Sequence, residues 1–206
     1  MFKIRHLYIL AVVVLITVLL YLYADREVAQ YFYAMDHSDP IKHFFKSITK
    51  FGKSEWFLIP SILFFLWFKQ RKELLNAKKA LYIFMTNVVA GLGVWLFKIP
   101  FGRMRPKLYL EDNLYGFQWV EITSKYVSFP SGHTITAISS AVALSLLFPK
   151  WKYPILMAGA LVAFSRVVVT AHYLSDVFFA SFLGTMVAYY LYQYYFTESK
   201  VSDKQA

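Results

Sequence analysis

Long apolar runs, separated by short polar or basic segments, set the rhythm of this chain. Residues 7–23, LYILAVVVLITVLLYLY, carry no charge and follow Lys3, Arg5 and His6. A charged start before an apolar run also marks a signal peptide. This run is longer than a typical signal core and no A-x-A cleavage site follows, so a retained helix is predicted. Further apolar runs cover 54–68, 80–97, 133–148, 153–170 and 176–196. A bilayer core takes about 20 predominantly apolar residues per helix, with a range of about 17–25, and each run is read as a span. The run at 54–68 needs 52–55 as its first turn, and that at 133–148 extends backward by a turn. No glycine or proline separates the last two.

A different pattern lies between the first two runs. Ser38 and Asp39 precede Pro40, a cap followed by proline at the first helical position. Ile41, Phe44, Phe45 and Ile48 then recur at the spacing of one helix face, with Lys42, Lys46, Lys50 and Lys53 on other faces. That is a basic helix lying in the membrane interface, or an ordinary helix packed on the bundle. The expectation is an all-α, six-transmembrane-helix bundle with an interfacial amphipathic helix, forming one membrane-embedded domain over 1–206.

Composition sharpens this picture in two places. With 58% hydrophobic and 20% aromatic residues the chain lies outside the usual range of soluble domains. It has no cysteine, which removes disulfides, thiolate metal sites and cysteine nucleophiles. The net charge of +10 raises nucleic acid as a partner, but the cations are interleaved with spans rather than gathered on a soluble face. Lipid headgroups and topology account for them better. The basic loop at 69–79 and the basic turn at 149–152 place both termini in the cytoplasm, although basic residues counted over the whole chain divide evenly between the two sides.

Under that topology three polar clusters reach the same, outer side. KIPFGRMRP (98–106) follows the third span, SFPSGH (128–133) precedes the fourth, and SRVVVTAHYLSD (165–176) joins the last two. An arginine inside or at the rim of a bilayer costs about 2.5–3.5 kcal/mol on insertion scales, so Arg166 is a candidate functional residue. Pro130, Ser131 and Gly132 stand where a helix begins, as a simple cap or as an anion site of free N–H groups. Lys98 and Arg105 suit phosphate oxygens, whereas Arg103 and Lys107 read as membrane-edge anchors. His172 and Asp176 are four apart and share a helix face. They are a nucleophile with its orienting carboxylate, a metal pair, or a structural cap; the surrounding cations argue against a metal and for an anion.

Together these segments resemble the type 2 phosphatidic acid phosphatase family, whose site is shared with the vanadium haloperoxidases. The three signatures, K-x6-R-P, P-S-G-H and S-R-x5-H-x3-D, are present in the family's order as KIPFGRMRP, PSGH and SRVVVTAHYLSD. The resemblance implies that His172 attacks phosphorus and forms a phosphohistidine, with Asp176 orienting it. It makes His133 the acid for the leaving oxygen and the base for water. Lys98, Arg105, Ser131, Gly132 and Arg166 would hold the phosphoryl oxygens, with no metal and no cofactor.

Membrane embedding directs the expectation to lipid substrates: undecaprenyl diphosphate, phosphatidylglycerol phosphate, phosphatidic acid or the phosphates of lipid A. The enzyme is expected in the cytoplasmic membrane with its site on the outer face. Within the 98–133 segment, Glu111, Asp112, Trp119 and Glu121 are candidates for selecting among these lipids. The rival readings are a lipid phosphotransferase using the same residues, and a non-catalytic transporter or binding protein for phosphorylated lipids. A vanadate-dependent oxidant is the remotest of them. His6, His37 and His43 match no signature, and the sequence leaves the oligomeric state open.

Overall fold

The computed structural model describes residues 4–36 and 38–196. Lys3, His37 and the C-terminal tail, all considered above, lie outside the described residues, as does the Arg5 side chain. Among the described residues the regular structure is helical, with one isolated antiparallel bridge between Arg103 and Phe117. The helices are α1 (Ile4–Tyr23), α2 (Asp25–Ala34), α3 (Pro40–Ile48), α4 (Glu55–Gln70), α5 (Leu74–Gly93), α6 (Trp95–Phe101), α7 (Pro106–Asp112), α8 (Gly132–Leu147), α9 (Lys152–Val168) and α10 (Leu174–Phe196).

Four helical stretches are long and apolar enough to cross a membrane: His6–Tyr23, Pro40–Gln70, Leu74–Phe101 and Leu174–Phe196. Six were expected. The runs at 133–148 and 153–170 form α8, an apolar helix of 16 residues, and α9 of 17, both below that length. Their shortness has a local cause, since α8 begins and α9 ends in the polar cluster described below.

The basic segment expected as a loop at 69–79 is mostly helix, because α5 already starts at Leu74. Only Lys72 takes a left-handed conformation there, with φ 62°. The amphipathic segment is a helix, begun by Asp39, whose carboxylate accepts from the Ile41 N–H at 2.7 Å, and by Pro40. One side of it packs on the bundle, with Phe45 edge-on to Phe164. Lys42 is buried and donates to the carbonyls of Phe32 and Met35, capping the end of α2. Ile41 and Phe44 remain exposed.

At the centre stands α8, packed against α5, α9 and α10. Its buried residues are mostly Ala, Ser and Thr, which let neighbouring backbones approach closely. Gly184 of α10 lies where a Cβ would come within 2.9 Å of the Ile135 carbonyl, and Gly159 of α9 where one would meet the Ala141 Cβ at 2.5 Å. Two polar contacts tie the helices laterally: Ser140 donates to the Asn87 side-chain oxygen at 3.0 Å and Tyr82 to the Ala188 carbonyl at 2.8 Å.

The chain reverses between α9 and α10 without glycine or proline. Thr170 takes a left-handed conformation, φ 51°, and the Ala171 and His172 N–H groups both return to the Arg166 carbonyl. That compact reversal is why no boundary is visible in the sequence.

Candidate active site

One end of the bundle collects the end of α1, the turn between α3 and α4, α6, the start of α8, the end of α9 and the start of α10. The segment linking α7 to α8 folds back over α6. Gly102 ends α6 with φ 50°, and a Cβ there would come within 3.0 Å of Glu121 and of the Trp119 backbone, so glycine is required. The Gln118 N–H then donates to the Gly102 carbonyl, Arg105 N–H to Lys125, and Ser128 N–H to Arg103. These bonds carry Ser128 to the floor of the site.

His172 lies in the reversal before α10 and is 4% exposed. Its Nδ1 is 2.8 Å from the Ser128 backbone carbonyl. A carbonyl can only accept, so Nδ1 carries the proton and Nε2 keeps its lone pair. Burial pushes the imidazole well below its ordinary value; the carboxylate of Asp176 pulls it up, while Arg105 and Lys98 push it further down. The ring is therefore neutral, the form a nucleophile needs.

Asp176 stands in the first turn of α10 and is fully buried. Its Oδ2 is 3.6 Å from His172 Nδ1, beyond a hydrogen bond, so it acts on the ring by charge. The carboxylate is held by others. The Ser128 hydroxyl donates to Oδ2 at 2.6 Å, the Tyr173 N–H donates to Oδ2 at 2.9 Å, and Arg103 donates to Oδ1.

Arg103, read from sequence as a membrane-edge anchor, is buried at 1% exposure and lies in the middle of this network. Its other terminal nitrogen donates to Asp25 at 2.6 Å. Sequence reasoning missed both residues. Lys107, the other expected anchor, is exposed, 3.8 Å from Glu111.

The three cations of the motifs converge. Lys98 is buried and donates to the Val127 carbonyl at 2.5 Å, with its side chain passing Gly132. Arg166 donates to the Thr49 hydroxyl at 2.5 Å. The Nε atoms of Arg105 and Arg166 are buried without a protein partner. The charge of Arg105 acts on Lys98, Arg166 and both motif histidines, which places it among them.

At the start of α8 the Ser131 hydroxyl caps the helix, accepting from the Thr134 N–H at 3.4 Å and the Thr134 hydroxyl at 2.9 Å. Gly132 and His133 follow. His133 packs on Gly52 so closely that a Cβ at Gly52 would lie 2.8 Å from its own Cβ. Lys53 and Glu55 also act on it by charge. The chain before and into α4 thus forms one wall of the site, which none of the three motifs indicates.

Two pockets adjoin. A cavity of about 380 Å³ opens beside Arg105, lined by Lys107, Leu108, Glu111, Asp112, Ser124 and Lys125. A second, about 360 Å³, is lined by apolar side chains from Phe51 and Phe57 across Ala137 and Ala141 to Val162. Trp119, expected to help select the lipid, is exposed and stacks on Phe117, away from either lining. Glu121 also lines neither, its carboxylate accepting from the Ile122 and Thr123 N–H groups.

Comparison with known proteins agrees with the motifs. Residues 79–200 match the family model described as PAP2 superfamily. A lipid A 1-phosphatase of Rhizobium johnstonii is 33% identical over 149 residues, 67% of this chain and 61% of that protein. An undecaprenyl-diphosphatase of Sulfolobus acidocaldarius is 26% identical over 143 residues, 69% of this chain and 65% of that protein. In both cases the chain spans less than two thirds of the relative's length. In fold the chain is similar to the crystal structure of a transmembrane PAP2 type phosphatidylglycerolphosphate phosphatase from Bacillus subtilis. The TM-score is 0.60 and the identity 16%, covering 91% of this chain and 94% of that one.

Proposed function

Because the chain belongs to the PAP2 superfamily, we propose that it is an integral membrane lipid phosphatase working through a phosphohistidine. The observation that carries this reading is the His172 tautomer: Nδ1 donates to the Ser128 carbonyl, so Nε2 is a free nucleophile on a ring that feels the charges of Lys98 and Arg105.

The geometry supports the following sequence. The Nε2 lone pair of His172 forms a bond to phosphorus, and the ring becomes a positively charged phosphoimidazole balanced by Asp176. The bond from phosphorus to the lipid oxygen breaks, and that oxygen takes a proton from His133. His133, now a base, removes a proton from water as it attacks phosphorus, releasing phosphate and restoring His172. Lys98, Arg105 and Arg166 stabilise the charge on the phosphoryl oxygens throughout, and the capped start of α8 adds the Gly132 N–H. Ser131 contributes by setting that cap. The same cations would repel a divalent metal, so the reaction is read as metal-independent and without cofactor.

We read α8 and α9 as crossing the membrane beside α1, α4, the α5–α6 stretch and α10, six spans in all, with α3, the first part of the Pro40–Gln70 stretch, at the interface. The basic turns then put the site on the outer side of the cytoplasmic membrane. The apolar pocket at Ala137, one turn below His133, suits a lipid tail. The mixed-charge cavity beside Arg105 suits a hydroxylated, charged headgroup such as the sugar phosphate of lipid A. That makes lipid A phosphate the first substrate to try and undecaprenyl diphosphate the second.

The test is phosphate release by purified protein in detergent with EDTA, across lipid A, undecaprenyl diphosphate, phosphatidylglycerol phosphate and phosphatidic acid. Release that survives EDTA and vanishes in His172→Ala, with a phosphoenzyme trapped by acid-free quenching, is expected. Release that depends on a metal, or persists in His172→Ala, would overturn the mechanism. Release that needs an added acceptor lipid would make the enzyme a transferase.

A further inference from the structure

Asp25 lies at the junction of α1 and α2, outside the residues matched by the family model and 150 positions from the serine it binds. It is fully buried. Its Oδ1 accepts from the Ser175 N–H at 2.9 Å, and its Oδ2 accepts from the Ser175 hydroxyl and from Arg103 at 2.6 Å. Arg103 spans the gap: one terminal nitrogen reaches Asp25, while the other donates to the Ser175 hydroxyl at 2.7 Å and to Asp176. The rings of Tyr173 and Tyr21 lie 4.5 and 5.0 Å from the guanidinium carbon, with Phe117 and Tyr115 beyond. The plane of the fork is fixed and water is kept out.

Charge counting gives this arrangement a purpose. Asp176 has to balance the positive charge that appears on His172 when its Nε2 bonds to phosphorus. An arginine paired with Asp176 alone would neutralise it and leave nothing for the ring. Here the single guanidinium charge is shared by two carboxylates, so the group Asp25–Arg103–Asp176 keeps a net charge of about −1 facing His172, undiluted by solvent. Burial pushes the Asp25 carboxyl up, while the Arg103 charge and the three donors on its oxygens pull it back toward the ionised form, which the pairing with Arg103 selects.

We propose that Asp25 is a positioning residue of this site: through Arg103 it fixes the Asp176 carboxylate and cancels the arginine's charge, leaving Asp176 free to balance the imidazolium. The proposal rests on the phosphohistidine reading above. Its signature is a split between binding and chemistry. Replacing Asp25 by Asn adds one positive charge near a site that already attracts anions. Ground-state binding of phosphate then tightens while the step on His172 slows. A loss of packing alone weakens both together.

The experiment compares the full-length protein with Asp25→Asn, Asp25→Glu, Arg103→Gln and the double variant Asp25→Asn/Arg103→Gln in detergent. Initial rates on the best lipid substrate give kcat and KM, and calorimetry gives the affinity for inorganic phosphate. In Asp25→Asn we expect kcat down by about tenfold or more, KM unchanged or lower, and phosphate bound at least about threefold tighter. In the double variant, where both charges are gone, phosphate affinity returns toward that of the unsubstituted protein and the two losses in kcat do not add. Wild-type kcat in Asp25→Asn, or parallel falls in kcat and phosphate affinity, would overturn the proposal. If Asp25→Asn does not fold, Asp25→Glu and Arg103→Lys decide. The first keeps the charge and is expected within about threefold of wild type; the second keeps the charge but loses the fork, and is expected to lose kcat with phosphate affinity unchanged. If the unsubstituted protein hydrolyses no lipid, the phosphatase reading fails by that result. The phosphate affinities still decide the charge argument.

Discussion

His172 turns its Nδ1 to the backbone carbonyl of Ser128, 2.8 Å away, while the nearest oxygen of Asp176 is 3.6 Å off. A main-chain atom therefore chooses the tautomer. The carboxylate is left to act through space and is itself held by Arg103, the Ser128 hydroxyl and the Tyr173 N–H. Ser128 serves both partners, its carbonyl oxygen to one and its hydroxyl to the other.

The first prediction concerns pH. Burial pushes the His172 imidazole below its ordinary value, near 6.5 for an unperturbed ring. The neutral ring persists above the folded pKa and is lost only as pH falls through it, so lowering the pH from 8 to 5 leaves His172 neutral. Proteins labelled with 15N-histidine, compared with His172→Ala to assign the signal, are expected to show no titration of this ring across that range. A midpoint near 6.5 would contradict the assignment.

Gly52 offers a second. A methyl group there meets the Cβ of His133 at 2.8 Å and its ring at 2.9 Å. Gly52→Ala displaces His133, the proposed acid–base residue, without touching any motif. Displacements of this size at a catalytic group cost up to about 100-fold in rate. We expect kcat to fall about 10- to 100-fold with thermal stability little changed, measured on lipid hydrolysis and by thermal unfolding in detergent. An unaltered kcat would mean that His133 relaxes freely, or that its position is not critical.

The helix interface gives a third, with its own control. Gly159→Ala places a methyl 2.5 Å from the Ala141 Cβ, whereas a Cβ at Gly91 meets nothing within 4 Å. Overpacking costs about 1–3 kcal/mol, so Gly159→Ala is expected to lower the unfolding temperature. Gly91→Ala is expected to hold or raise it, since alanine favours helix over glycine by about 1 kcal/mol. Equal behaviour of the two would refute the close approach of α8 and α9.

Arg166 supplies the fourth. One nitrogen of its fork is engaged by Thr49 and its Nε is unpartnered in the site. Arg166→Lys keeps the charge but removes the fork, and kcat/KM is expected to fall about tenfold or more. Undiminished kcat/KM would reduce Arg166 to a membrane-edge anchor.

The motif residues were legible because their spacing is rigid: Lys98 with Arg105, His133 after a helix start, and Arg166, His172 and Asp176 around a reversal. What supports them was not legible. Arg103 looks like Lys107 in the sequence, two flanking cations in one short segment, and only the return of Ser128 over α6 distinguishes the buried one from the exposed one. Asp25 follows an apolar run beside Arg26 and Glu27, as an ordinary membrane-edge acid would, and its partners lie 78 and 150 positions away. Gly52 has no local signature because its requirement is a neighbour's ring. Helix identity was readable from apolar pattern, but the start of α5 was not, since Lys78 and Lys79 are as compatible with a helix's first turns as with a loop.

The Asp25 bridge also orders events in time. Asp25 is made early, Arg103 follows 78 residues later, and Ser175 only with the start of α10. A nascent chain entering the bilayer therefore carries an acid at the mouth of its first helix whose charged partner comes with the first signature-bearing segment and whose serine comes only with the third. Until α10 docks, Asp176 has neither the Ser128 hydroxyl nor Arg103 in place. The buried charge network closes only when α10 has joined the bundle.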